Sequence, residues 1–137
     1  MRSIVFFSTA AVPMSEEDLV ALGRECAEND SRLGITGMLL HKNGDFLQAL
    51  EGTKAVIRDM FARISADPRH TNVRIISDRL TQRREFAGRA VGFKNLDVLP
   101  ASAPFLNPFS YEAFKADPDL ALLTLTFYYR QKQPVSA

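Results

Sequence analysis

The feature that most constrains the fold is the pair Asn43-Gly44, which separates two apolar segments at residues 35–41 and 45–51. Both residues tolerate positive φ, so the pair favours the type I′ turn that joins two antiparallel strands. The flanking segments are apolar and bounded by turn residues, as strands are. The sequence therefore predicts a β-hairpin over residues 35–51.

A strand and a helix are predicted before this hairpin. Residues 4–8 are a short apolar run with high β-propensity. Ser15 followed by Asp18 resembles a capping box, and apolar residues then recur at helical spacing. We expect a helix from Ser15 to about Asn29, with Gly34 where the chain turns towards the sheet.

A second helix and two more strands are predicted after the hairpin. Thr53 is placed to cap the helix, and Asp67-Pro68 ends it because the residue before proline is disfavoured in helical angles. Residues 73–77 are predicted to form a fourth strand, and residues 89–93 a weaker fifth.

The order βαββαβ with a late strand predicts an α+β fold, a ferredoxin-like sheet that carries two helices on one face. Asn107-Pro108 and Asp117-Pro118 each resemble an N-cap followed by proline at the first helical position, so we expect two C-terminal helices. Residues 120–129 are apolar almost all round. That helix must pack on the open face of the sheet or on a partner subunit.

Length and charge exclude several classes of protein. At 137 residues we expect one compact domain. The 17 basic and 16 acidic residues are mixed, so nucleic-acid binding is not expected, and the cluster Arg79, Arg83 and Arg84 is interpreted as a solvated loop. No apolar run reaches the roughly 18 residues that a membrane span needs. The lone Cys26 cannot form an intramolecular disulfide, and we expect a cytoplasmic location.

Catalytic motifs are not evident in the sequence. His41 and His70 lack Cys, Asp or Glu partners at metal-ligand spacing, and no glycine-rich phosphate loop or nucleophile elbow is present. Cys26 is interpreted as a plain buried thiol on the first helix. A small enzyme on this frame has no visible acid–base set, so we predict that the chain is not an enzyme.

One polar residue of the third strand is predicted to be buried. Side chains alternate along a strand, so Phe46, Gln48 and Leu50 share one face while Leu47 and Ala49 share the other. A buried amide without partners costs about 1–3 kcal/mol. Either backbone or water satisfies Gln48, or its amide binds a ligand between the helices and the sheet.

Several short segments of the sequence together resemble motifs of the BLUF family, the sensors of blue light using FAD. They are GITGMLLHKNGDFLQALEG at residues 34–52, DPRH at residues 67–70, the opening SIVFFS and the later EFAGRAVGF, all in the family's order and spacing. The resemblance covers about residues 2–97. It implies a BLUF-like domain at residues 1–97 and a C-terminal helical extension at residues 98–137 that packs on the same domain.

The resemblance also implies a cofactor and its site. The family binds FAD noncovalently between its two helices, with the flavin ring next to the first and third strands. Gln48 matches the glutamine that hydrogen-bonds the flavin and a first-strand tyrosine, and Arg69 and His70 match positions near the phosphate and ribose. The implied cofactor-binding residues are Phe6, Asn29, Asp30, Ile35, Phe46, Gln48, Asp67, Arg69 and His70.

The sequence departs from the family at its light-reactive positions. Phe6 stands where the family has the tyrosine that transfers an electron and a proton to the excited flavin. Asp30, with Asn29 beside it, stands where an asparagine holds the flavin carbonyls, and Arg89 and Val91 replace a semi-conserved tryptophan and methionine. A carboxylate accepts hydrogen bonds but donates only when protonated. We therefore expect an impaired photocycle.

Two hypotheses from different classes follow. The first is an FAD-binding BLUF-type blue-light sensor and signalling protein whose photocycle is impaired. The alternative is a flavin-free BLUF-like interaction module that signals by oligomerisation or partner binding. Under either hypothesis we expect a homo-oligomer and a downstream protein partner that the sequence does not identify.

Overall fold

The computed structural model describes residues 1–88, 91–100 and 102–131. Within them, five strands form one sheet in the order β4-β1-β3-β2-β5. Strand β1 is antiparallel to β3 and β4, β2 is antiparallel to β3, and β5 runs parallel to β2. This is the predicted α+β, ferredoxin-like arrangement with one added strand. The elements are β1 Arg2–Ala10, α1 Glu16–Leu33, β2 Thr36–Lys42, β3 Asp45–Gly52, α2 Lys54–Ala66, β4 His70–Leu80, β5 Gly92–Asn95, a 3₁₀ helix at Leu96–Val98, α3 Tyr111–Ala116 and α4 Pro118–Arg130.

The predicted hairpin is confirmed. Asn43 and Gly44 have φ values of 49° and 83°, as a type I′ turn requires. The turn sets the register, so that Gln48 on β3 lies opposite Leu39 on β2 and opposite Phe6 on β1. Gln48 is therefore on the central strand of the sheet, between two apolar neighbours.

Helix α1 begins as predicted but continues to Leu33, beyond the predicted end at Asn29. Ser15 and Asp18 form a full capping box, each accepting the other's backbone N–H at 3.1 Å. Gly34 ends the helix in the left-handed conformation at φ 71°. No residue between these two caps interrupts the helix, so Asn29 and Asp30 are helical positions of α1.

The alternation along the strands separates two cores. Ile4, Phe6, Phe46 and Leu50 lie on the face covered by α1 and α2, which we call the α1–α2 face. The intervening residues of the same strands point to the opposite face, which α3 and α4 cover and which we call the α4 face. Its core contains Val5, Phe7, Leu47, Ala49, Phe114, Ala121, Leu125 and Tyr128.

The C-terminal helices confirm one prediction and correct another. Helix α4 begins at Pro118 after the cap Asp117 and packs on the open face of the sheet, as predicted. The predicted helix start at Asn107-Pro108 is wrong, because α3 begins only at Tyr111. The cap of α3 is Ser110, whose hydroxyl accepts the Ala113 N–H at 3.2 Å.

The link between β4 and β5 also differs from the prediction. Strand β5 begins at Gly92, and of the predicted strand at residues 89–93 the first two residues lie outside the described residues, Arg89 among them. Arg84 is not merely solvated, because its Nη1 donates to Thr36 Oγ1 at 2.9 Å and to the Glu51 carbonyl at 3.1 Å. The buried Glu51 carboxylate accepts the backbone N–H groups of residues 85 and 86 at 2.9 and 2.7 Å. The link is thereby anchored to β2 and β3.

None of the described helices is long and apolar enough to cross a membrane.

Candidate ligand site

A cavity of about 470 Å³ opens between α1 and α2 above the central strands. Its volume falls in the range of about 300–1,000 Å³ that small-molecule sites occupy. Leucine, methionine and isoleucine side chains form its apolar walls, and charged residues gather at the turn after α2. The lining residues are Leu22, Glu25, Cys26, Asn29, Asp30, Leu39, Gln48, Met60, Arg63, Ile64, Ala66, Asp67, Pro68, Arg69 and His70.

Gln48 brings an unsatisfied amide to this cavity. Its side chain is 3% exposed. Among the buried side-chain nitrogen and oxygen atoms of the described residues, Gln48 Nε2 alone has no hydrogen-bond partner. Leaving such a donor unpaired costs about 1–3 kcal/mol, so native structures seldom keep one without a reason. The position suits a donor that a ligand with hydrogen-bond acceptors would satisfy.

Asp30 brings a buried carboxyl group to the same cavity. It is 2% exposed. Burial raises its pKa to about 7, and the positive charge of Arg63 opposes that shift only in part. The pKa of Asp30 in the folded protein lies above the ordinary 3.8. The free energy of unfolding therefore falls as pH rises from about 4 to 7, because Asp30 ionises more readily in the unfolded chain. Near neutral pH the group is therefore divided between an acid that can donate and a carboxylate that cannot.

Two other titratable residues of the cavity are neutral near pH 7. Burial, aided by the nearby Asp30 carboxylate, raises the pKa of the Cys26 thiol to about 12. Cys26 is therefore a thiol and not a thiolate, in keeping with the sequence interpretation. Burial also lowers the pKa of His70, whose Nδ1 lies 3.2 Å from Ser8 Oγ. Its ring packs against Phe46 with centroids 5.1 Å apart.

Arg69 at the mouth of the cavity is already ion-paired. Its Nη2 lies 2.6 Å from Asp67 Oδ2, and its Nη1 lies 3.0 Å from Glu25 Oε2. The hydrogen bonds from Arg69 hold the pKa of Asp67 below its usual value. The Arg69 side chain is 41% exposed, so solvent screens these pairs. A phosphate would have to compete with two carboxylates for this guanidinium.

The structure brings six of the nine predicted site residues to the cavity wall. These are Asn29, Asp30, Gln48, Asp67, Arg69 and His70. The other three lie beneath it in the core of the α1–α2 face, where Phe6, Ile35 and Phe46 are almost completely buried. The Phe6 ring packs edge-on against Phe61, with centroids 5.4 Å apart. Phe6 is nevertheless the direct cross-strand neighbour of Gln48.

Sequence reasoning missed several residues of the wall. Arg63 is the most important, because it is the cation that acts on Asp30. Glu25, which holds Arg69, was missed as well. Arg63 follows the apolar Met60 by three positions on α2, so the helical period contained a signal that could have found it.

Val91, one of the divergent positions, is buried in the core of the α1–α2 face.

Comparison with known proteins agrees with this architecture. The fold and the cavity define an α+β module with a candidate ligand site between two helices and the sheet. Residues 1–92 match the family described as BLUF, Sensors of blue-light using FAD. The match covers well over half of the 137 residues, and the chain belongs to the BLUF family.

Relatives of known description are much larger proteins. The chain is 38% identical over 86 residues to the photoactivated adenylate cyclase subunit beta of Euglena gracilis, which covers 63% of this chain and 10% of that protein. It is 41% identical over 73 residues to the Euglena longa subunit beta, covering 53% of this chain and 8% of that protein. The chain thus spans about a tenth of the length of these relatives.

Solved structures include BLUF proteins of similar size. One described as BlrB, a BLUF protein in its dark state, is 26% identical with a TM-score of 0.66, covering 90% of this chain and 83% of that one. The photo-activated state of BlsA has a TM-score of 0.76 at 19% identity, with 96% of each chain covered, which shows a shared fold.

Proposed function

We propose that the cavity between α1 and α2 binds FAD noncovalently and that the chain is a BLUF-type sensor with an impaired photocycle. The observation that carries this proposal is Gln48, a buried amide at the cavity whose Nε2 has no partner among the described residues. A flavin ring presents carbonyl oxygens and ring nitrogens that accept hydrogen bonds. Such a ligand would satisfy the donor that the protein leaves unpaired.

The remaining residues of the cavity fit a flavin in part. Leu22, Leu39 and Met60 offer apolar walls for a ring. Arg69 and His70 offer a cationic and a neutral donor at one end, suited to phosphate and ribose oxygens. As a neutral acid Asp30 can donate to a flavin carbonyl, whereas as a carboxylate it could only accept, for example from the flavin N3–H, and would repel the carbonyl oxygens. The donor set is thus compatible with FAD when Asp30 is protonated.

Phe6 cannot perform the photochemistry that a tyrosine performs there. When bound, a flavin would supply blue-light absorption and an electron acceptor at this site. Phe6 lies directly opposite Gln48 but has no hydroxyl proton to transfer. Tyr128 and Tyr129 pack on the other face of the sheet, where Tyr128 donates to the Pro104 carbonyl and Tyr129 accepts the Gly88 N–H. Neither is positioned to replace the missing donor.

Flavin binding is tested first by titrating FAD into the purified protein and following the quenching of flavin fluorescence. We expect saturable binding and yellow protein, and we expect Gln48→Leu to weaken the affinity about tenfold, because one hydrogen bond to the ligand is lost. Gln131→Leu is the matched control, since Gln131 is exposed at the end of α4. Colourless protein that does not quench added FAD would overturn the proposal and favour the flavin-free interaction module.

The photocycle is tested separately on the FAD-loaded protein. We expect blue light to produce no stable red-shifted absorption in the wild-type chain, because Phe6 supplies no proton-coupled electron. Phe6→Tyr restores the hydroxyl opposite Gln48. A reversible red shift in the wild-type protein would show that the role assigned to Phe6 is wrong.

The output of the sensor belongs to the same proposal. The relatives named above are subunits of photoactivated cyclases, whereas this chain matches only about a tenth of their length. We propose that the chain signals through protein contacts as a cytoplasmic homo-oligomer with a downstream protein partner, and that it catalyses no reaction itself. Size-exclusion chromatography with light scattering, in darkness and under blue light, tests the oligomer.

A further inference from the structure

We propose that Asp30 makes ligand binding in the cavity depend on a proton, so that an acceptor-rich ligand binds tightly to the neutral acid and weakly to the carboxylate. The inference rests on the proposed binding of FAD and adds what controls it. It makes the occupancy of the site sensitive to pH as well as to the concentration of the cofactor.

The cavity presents two hydrogen-bond donors to a ligand when Asp30 is protonated. Gln48 Nε2 is an amide donor without a partner among the described residues. Asp30, on α1, adds an O–H donor when it is protonated and only acceptor oxygens when it is not. A ligand with several acceptors can satisfy both donors in the first state. In the second state its acceptors face a negative charge, which is repulsive in a partly desolvated site.

The charges around Asp30 explain why this change falls near neutral pH. The elements that line the cavity with Asp30 bring Glu25, Cys26 and Asn29 from α1, Arg63 from α2, Gln48 from β3, Asp67 and Arg69 from the turn after α2, and His70 from the start of β4. Arg63 is the cation that favours the carboxylate, but it is exposed, and burial dominates. The pKa of Asp30 is thereby raised to about 7.

The other groups of the cavity do not share this window. The pKa of Cys26 is raised to about 12, so the thiol stays protonated. The pKa of His70 is lowered below its ordinary 6.5, so the ring is already neutral at pH 7. Asp67 has a lowered pKa and remains paired with Arg69. Cys26 and Asp67 therefore do not titrate between pH 6 and pH 8, and the His70→Gln variant described below separates any contribution of His70 from that of Asp30.

The test is the dissociation constant of FAD at pH 6, 7 and 8 for the wild-type chain and for Asp30→Asn. If binding requires the neutral acid, wild-type affinity falls about tenfold between pH 6 and pH 8, since each pH unit above the pKa removes a further tenfold of the competent form. Asp30→Asn keeps an uncharged donor of the same size at every pH. We expect its affinity to change less than twofold over the range.

Two further arms keep the outcomes distinct. Riboflavin, which carries no phosphate, should show the same pH dependence as FAD, and His70→Gln should retain it. A wild-type affinity that is constant with pH, a dependence that persists in Asp30→Asn, or a dependence that His70→Gln or the use of riboflavin abolishes would overturn the inference while FAD binding stands. The absence of FAD binding at every pH would overturn the proposed function, and the inference with it.

A measurement without ligand checks the state of Asp30 directly. In the ligand-free protein, the urea midpoint of the wild-type chain should fall relative to that of Asp30→Asn as pH rises from 5 to 8, because the folded state holds a proton that the unfolded state has released. Parallel pH profiles for the two proteins would show that Asp30 ionises as an ordinary carboxyl group, and the inference would then be wrong.

Discussion

The two faces of the sheet are built from alternate residues of the same strands, yet they differ in how fully their polar groups are satisfied. On the α4 face, the Tyr128 hydroxyl donates to the Pro104 carbonyl and the Thr124 hydroxyl donates to the Leu120 carbonyl at 2.7 Å. On the α1–α2 face, Gln48 Nε2 has no partner among the described residues. The first face is a closed core, and the second surrounds a cavity of about 470 Å³.

This difference shows where stability and function reside. A closed and satisfied core contributes free energy of folding and presents little to a ligand. An unpaired amide and a carboxyl group with a raised pKa lower the stability of the ligand-free fold, and such groups cluster at functional sites. The same strands thus stabilise the protein through one set of residues and prepare a binding site through the alternate set.

The largest expected effect compares one leucine from each face. Leu125 on α4 is 0% exposed and Leu22 on α1 is 2% exposed. Leu→Ala substitutions in a closed core cost about 3–5 kcal/mol. We expect Leu125→Ala to cost about 4 kcal/mol and Leu22→Ala about 2 kcal/mol, since Leu22 already borders the cavity and its side chain has fewer packing contacts to lose. Urea unfolding of the ligand-free protein measures both. Equal losses would mean that the α1–α2 face is packed as tightly as the other.

A smaller effect with opposite signs is expected for buried polar groups. Gln48→Leu should stabilise the ligand-free protein by about 1–2 kcal/mol, because it removes an unpaired donor. Tyr128→Phe should destabilise it by a similar amount, because the Pro104 carbonyl loses its donor. Both are read from the same unfolding experiment. Destabilisation by Gln48→Leu without ligand would indicate that the amide is satisfied within the protein.

The smallest expected effect concerns the connection between the faces. Tyr129 on α4 accepts the Gly88 N–H at 2.9 Å, and its ring packs edge-on against Phe86 at 5.0 Å. This segment leads to Val91, which is buried on the α1–α2 face. Tyr129→Phe should cost about 0.5–1 kcal/mol, because one partly exposed hydrogen bond is lost. Hydrogen exchange of the Gly88 amide should accelerate, while the exchange of the β1 and β3 core amides stays unchanged.

Much of the site could be predicted because it follows from local rules. Alternation along β3 was enough to place Gln48 on one face of the sheet and Leu47 and Ala49 on the other, and the structure confirms this. The resemblance to the BLUF family implied that Asp30 and Arg69 belong to the site, and both line the cavity. By contrast, Arg63 and Glu25 act on those residues from other turns of the helices. Their roles depend on how α1 and α2 pack against each other, which local sequence patterns do not determine.

The errors have two kinds of origin. Asn107-Pro108 carries a good helix-start signal, but Ser110 makes the cap that α3 uses. Helix α1 extends past Asn29, because its period continues without a breaker until Gly34. Arg84 was interpreted as a solvated charge, but its guanidinium donates hydrogen bonds to Thr36 Oγ1 and to the Glu51 carbonyl. In the first two cases a local signal, the Ser110 cap or the uninterrupted period before Gly34, set the helix boundary. Only for Arg84 did contacts distant in sequence decide the outcome.

The sequence by itself determined the elements, their order, the hairpin register and the absence of a tyrosine hydroxyl at Phe6, because these depend on residue type and on short-range geometry. Only the tertiary structure decided that Gln48 Nε2 has no partner among the described residues and that Asp30 carries a raised pKa. Both properties arise from desolvation, which is set by everything that packs around a group and not by the group's neighbours in the chain.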